Sequence, residues 1–183
     1  MSQPVPPQPA KLVIGVFTNQ KHLFKPVLSD LAEQFGEIDF ISPWIPFDYT
    51  TYYNKEMGTG LLRRMAAFKP LIMQGDLARI KLKTNMIEKE LSEMDRRNIN
   101  IDPGYLVRER FVLATGKNFT HRIYIGDHIY ADLTLLYQKG KFQSLPWTYP
   151  DYQDEKVQSF LYRTRNKYIK DITEPEMKTV MET

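Results

Sequence analysis

Four short runs between Glu109 and Leu145 restrict the possible folds most. "ERFVLAT", "HRIYI", "IYADLTLLY" and "KFQSL" are rich in β-branched and aromatic residues and are separated by turn residues such as "QKGK". Such spacing predicts consecutive antiparallel strands. In the middle two runs, a three-residue loop of Gly126, Asp127 and His128 sets Ile125 against Ile129, Ile123 against Ala131 and His121 against Leu133. The other face then pairs Arg122 with Asp132 and Tyr124 with Tyr130, with Thr134 beyond them. The apolar set is expected on the core and the polar set away from it, where Arg122 and Asp132 form either a cross-strand surface ion pair or part of a site.

Upstream the hydrophobic period changes from two residues to 3.6 and back. "KLVIGVF" reads as a buried strand, and "HLFKPVLSDLAEQFG" as an amphipathic helix capped at Gly36. "EIDFISPWIPFDY" is extended, with Pro43 and Pro46 confining its second half to a sheet edge or bulge. "LLRRMAAF" fits a strand or a short helix. Residues 76–94 are predicted to form one long helix, with Leu77, Ile80, Thr84, Ile87, Leu91 and Met94 on one face. Lys81 and Glu88 on that helix read as a solvated stripe. "NINID" is expected to be a strand ending in a Pro103-Gly104 turn, and "DEKVQSFLYRTRNKYIKDI" a terminal helix.

This order predicts an α+β fold, with a ferredoxin-like core over residues 11–115, extended by antiparallel β-hairpins and closed by a C-terminal helix. Residues 1–10 are expected to be a disordered proline-rich tail, 11–172 a single domain and 173–183 a flexible C-terminal tail.

Composition narrows the chemistry. The chain has no cysteine, which removes disulfides, thiolate metal sites and a cysteine nucleophile. Its only histidines are His22, His121 and His128. Zinc is therefore an unlikely cofactor, whereas a hard divalent cation on oxygen ligands remains open. The start "MSQPVPPQPA" is not a signal peptide, and no apolar run reaches the length of a bilayer span. A cytoplasmic location without membrane partners is expected. A net charge of +3 favours anionic ligands only weakly.

Candidate site residues come from the polar segments. Asp102, Asp132 and His121 are the candidate acid/base groups. Arg96, Arg97 and Arg122 suit anionic oxygens, although an arginine after the long helix also suits its C-terminal dipole. Tyr124, Tyr130 and Trp147 are candidates to flank a ligand, and Asn85 to hydrogen-bond it. "FDYTTYYNKEMG" reads as either a ligand loop or an aromatic cover over the core.

Together with "IKLKTN", "RRNINIDPGYL", "HRIYIGDHIYADLTL" and "WTYPDY", that segment resembles an uncharacterised bacterial family, domain of unknown function 4416, from about Lys11 to Tyr168. The resemblance implies one compact bacterial domain and assigns no reaction, cofactor or residue role. Asn118 stands where the family usually has an acidic residue and His128 where it usually has glycine, so neither is expected to be essential. The residues themselves point to an intracellular domain that binds or processes a phosphate-bearing ligand, a nucleotide or RNA fragment being preferred. The alternative is a noncatalytic RNA- or protein-interaction module. Asp102 and Asp132 in one concave pocket would favour the first, and a flat aromatic and basic surface the second.

Overall fold

In the computed structural model, which describes residues 1–94 and 96–174, the elements in chain order are β1 (Ala10–Thr18), α1 (Phe24–Phe35), β2 (Ile38–Ile41), β3 (Ile45–Pro46), α2 (Asn54–Met57), β4 (Leu62–Ile72), α3 (Leu77–Glu90), β5 (Asn100–Leu106), β6 (Arg110–Thr115), β7 (Arg122–Gly126), β8 (Ile129–Gln138), β9 (Lys141–Ser144) and α4 (Glu155–Thr173). The strands form one sheet in the order β2-β4-β1-β5-β6-β8-β7, with β3 on β4 and β9 on β8. Every pairing is antiparallel. The fold is α+β and carries the expected C-terminal helix.

β1 is buried along its whole length, so both faces of the sheet are covered there. Leu12, Ile14 and Val16 share one core with Val27 and Leu31 of α1 and with Ile80 and Ile87 of α3. On the opposite face, Ala10 and Val13 share a core with Met65, Ala67 and the α4 residues Val157, Phe160, Leu161 and Tyr168. Lys11 lies on this second side and is fully buried. Its ammonium donates to Asp171 at 2.7 Å and to the Lys69 carbonyl at 3.3 Å, and also pairs with Asp39. α1 tolerates Pro26 in its first turn and ends at Gly36, whose φ of 92° favours glycine. Asp154 caps α4 by accepting from the Lys156 amide at 2.7 Å.

Three expectations about local structure are corrected. The long helix stops at Glu90 rather than residue 94, and Met94 is 96% exposed with φ 47°. Ser92 bonds back to the Glu88 carbonyl, and Glu93 pairs with Arg96 in a tight bridge, so local bonds replace helix continuation. Lys81 and Glu88 are buried, not solvated. Pro103 and Gly104 lie inside β5, not in a turn. A Cβ on Gly104 would stand 2.5 Å from the Val112 carbonyl oxygen, so glycine is required by strand approach.

The β7–β8 hairpin keeps the predicted pairs Arg122–Asp132, Ile123–Ala131 and Tyr124–Tyr130. Beyond them the register shifts, Gly126 meets Ile129, and the turn is Asp127–His128 with φ 52° and 60°. Both positive values are those of a two-residue type I′ turn, so the three-residue loop is corrected. Coverage of the two faces is mixed: Ile129 is buried and Ile125, Ala131 and Leu133 pack on the core as expected, but Ile123 is 70% exposed, and Asp132 and Thr134 of the polar set are buried. The cause of that burial is the segment after β9, which folds over Asp132 and Thr134. There Thr148 donates to the Thr134 carbonyl at 2.6 Å, and Arg122 donates to the Tyr149 hydroxyl at 2.7 Å.

At the ends, the carbonyls of Gln8 and Pro9 accept from Gln74 and Tyr168. α4 includes Thr173, one residue past the expected domain end, and residues 175–183 of the expected tail lie outside the described residues. Among the described residues, no helix is long and apolar enough to cross a membrane.

Candidate functional site

Alternate residues of a strand point their backbone groups to the same edge. Ile101, Pro103 and Tyr105 therefore share the β6 edge of β5. β6 pairs with β5 only at Gly104, Tyr105 and Leu106. Pro103, which has no amide donor, stands where that pairing stops. At Ile101 the vacant edge is closed by side chains from α3. Lys81 donates to the Ile101 carbonyl at 2.8 Å, and the Ile101 amide donates to Glu88 at 2.6 Å. The result is a notch in the sheet, opening into a cavity of about 690 Å³.

One wall comes from β4. Arg63 is 2% exposed, stacks 4.7 Å from the Phe47 ring and 5.0 Å from the Tyr152 ring, and ion-pairs with Asp151. Burial alone would lower its pKa, but Tyr152, Asp151 and Asp102 hold it above the ordinary arginine value. The residues after Phe47 lie over the cavity and are tied at three points. Tyr49 donates to Asp154 at 2.7 Å, Lys117 donates to Tyr52 at 3.0 Å, and Glu56 takes Arg97 with both oxygens at 2.6 and 2.7 Å.

The carboxylates around the cavity are held unequally. Asp151 is engaged by Arg63. Asp132 accepts from Arg122 at 2.9 Å and lies 3.2 Å from His121 Nε2. Glu88 accepts from the Ile101 amide; burial raises its pKa against the opposing pull of Lys81 and that amide. Asp102 is different. Its oxygens lie 3.7 Å from Lys81 and 3.8 Å from Arg63, with no hydrogen bond from a described side chain. Among the described residues, three buried donors also have no hydrogen-bond partner: Arg63 Nε, Asn100 Nδ2 and the Tyr152 hydroxyl. Their residues line the cavity, but the three atoms themselves are closed off from it.

A family model described as a domain of unknown function (DUF4416) matches residues 8–168. The chain belongs to that family. Every cavity residue named above falls inside the DUF4416 region. No curated protein and no solved structure gives a significant match.

Of the residues singled out in sequence, the DUF4416 fold brings Asn85, Arg97, Arg122, Asp102 and Asp132 to the cavity. His121 stands behind Asp132 and stacks on Trp147 at 4.9 Å, while the Trp147 indole donates to the Leu133 carbonyl. Neither His121 nor Trp147 lines the cavity. Tyr124 and Tyr130 pack edge to face at 5.5 Å, away from it, and Arg96 is exposed on the turn after α3. Sequence reasoning missed Arg63, Lys117, Asp151 and Tyr152. For Lys81 and Glu88 a signal existed: they continue the stripe through buried Thr84, the polar intruder on that face.

Asp132 pairs with Leu113, and Leu113 with Gly104, two residues from Asp102. Ordinary strand spacing then puts the two aspartate Cα atoms roughly 12 Å apart, too far to share one ion or one proton. Among the described residues, no group of three or more histidine, aspartate or glutamate side chains is placed to hold a metal ion.

Proposed function

We propose that the cavity binds a phosphate-bearing ligand, preferably a nucleotide or RNA fragment, and that Asp102 is the group through which any chemistry on it runs. The single observation that carries this reading is Asp102, a partly exposed carboxylate with no hydrogen bond from a described side chain, in a cavity lined by Arg63, Lys81, Arg97, Lys117 and Arg122. Cations gathered on one cavity suit a ligand with anionic oxygens, and Asp102 is left to accept from a ligand hydroxyl or to take its proton.

The concavity around Asp102 and Asp132 supports a pocket over a flat interaction module. What favours the module is the exposure of Phe119, Ile123 and Tyr124 at 62, 70 and 57%.

Asp102→Asn separates the two. It should weaken adenosine monophosphate binding about tenfold, the size of one or two hydrogen bonds to a charged group, whereas Tyr152→Phe, which removes an unpartnered hydroxyl closed off from the cavity, should stabilise the protein by about 1 kcal/mol and leave binding unchanged. Titration calorimetry and denaturant unfolding read the two effects. Binding confined to a short RNA and indifferent to Asp102→Asn would favour the module.

A further inference from the structure

The positive charges lining the cavity are not equally compensated. Arg63 pairs with Asp151, Lys81 lies near Asp102 and Glu88, Arg97 grips Glu56, and Arg122 holds Asp132. Among the described residues, Lys117 is the cavity-lining cation with no carboxylate partner. It is exposed just after β6, and among the described residues its ammonium donates to the Tyr52 hydroxyl alone, over whose ring it sits at 4.7 Å.

The deep end has the opposite character. Arg63, Asn100 and Tyr152 are each more than nine-tenths buried, and the charges beside them are already matched. A phosphate placed there would give up its hydration without meeting an uncompensated cation. A neutral group would enter without that penalty. Asp102, in the same place, calls for O–H donors. Neutral groups that donate to a carboxylate through O–H are hydroxyls, and two adjacent ones can engage both of its oxygens.

We infer that the cavity takes its ligand sugar first. The hydroxyls of a ribose-like ring meet Asp102, and the phosphate stays at the mouth on Lys117. This rests on the nucleotide reading above and adds the orientation and the sugar that the site selects. A free nucleotide and the 3′ end of an RNA carry the same diol and phosphate.

Titration calorimetry on the full chain tests the orientation with adenosine monophosphate, its 2′,3′-dideoxy analogue, adenosine and inorganic phosphate. Loss of both sugar hydroxyls should weaken binding at least about tenfold, the size of one or two lost hydrogen bonds to a charged group. Lys117→Ala, at an exposed position, should weaken adenosine monophosphate about tenfold and leave adenosine unchanged. Asp102→Asn should narrow the difference between the ribose and dideoxy forms. A trinucleotide RNA with a free 3′ diol that binds more tightly than the mononucleotide assigns the site to RNA ends, and the reverse order to free nucleotides.

Equal binding of the two sugar forms, with inorganic phosphate displacing adenosine, would put the phosphate inside and overturn the orientation while leaving the ligand class standing. No binding by any of these compounds would overturn both.

Discussion

Arg63→Met is expected to destabilise the protein by about 3 to 5 kcal/mol, the usual consequence of removing one partner from a buried ion pair. Methionine fills much of the arginine's volume against Phe17, Phe47 and Tyr152, so the loss comes from charge rather than from an empty space. Asp151, 6% exposed, would be left buried without its cation. The double variant Arg63→Met with Asp151→Asn should recover a large part of the loss, because the stranded charge is gone. Denaturant midpoints of the parent, both singles and the double form the required cycle. A loss below about 1 kcal/mol in the Arg63 variant would mean that the site's main wall is not built on this pair.

Lys11→Met should also be severe at neutral pH, about 3 kcal/mol, since it takes the buried cation from Asp39 on β2 and one of two lysine partners from Asp171 on α4. The pH dependence follows from Asp171. Burial pushes its pKa up, but hydrogen bonds from Lys11 and Lys167 outweigh burial and hold it below the ordinary carboxylate value. A carboxylate with a depressed folded pKa contributes stability that is present above its unfolded value, near 3.9, and is lost as pH falls through the lower folded value. The deficit of Lys11→Met relative to the parent should therefore shrink on acidification below about pH 4, where Asp171 becomes neutral and its bond to Lys11 no longer adds stability to the parent. Unfolding curves at neutral and acid pH measure it. A deficit that stays constant would assign the effect to packing of the lysine stem instead.

Both residues show why periodicity alone under-reads this chain. Lys11 and Arg63 occupy strand positions that face a core, and their partners Asp171 and Asp151 lie 160 and 88 residues away in sequence. No local window contains such a pair. The hairpin was legible in its two strands and in the pairing of Arg122 with Asp132, but not in its two-residue turn or in the exposure of Ile123. The burial of Asp132 and Thr134 depends on the Thr148–Tyr149 segment folding back, a tertiary event. Asp102, Asp132, Arg97, Arg122 and Asn85 were found as polar residues in the right segments. Arg63 was passed over because "LLRRMAAF" is ambiguous between strand and helix, which leaves the direction of each arginine undefined. Pro103-Gly104 carried a turn signal in sequence. Glycine was needed for contact with Val112, and proline sits where the pairing of β5 with β6 ends.

The notch beside Ile101 also divides the molecule into a part that resists change and a part that accepts it. Its opening is set by backbone chemistry: a proline that withholds a donor, and two helix side chains that occupy the groups a strand would otherwise claim. None of this depends on the side chains at the outer lip, where Gly116 and Lys117 are exposed. Substitution at that lip should therefore leave the cavity open and the sheet intact. On the proposed reading, a change of charge at Lys117 would alter which ligand the mouth admits while the shape behind it stays as the inner frame sets it.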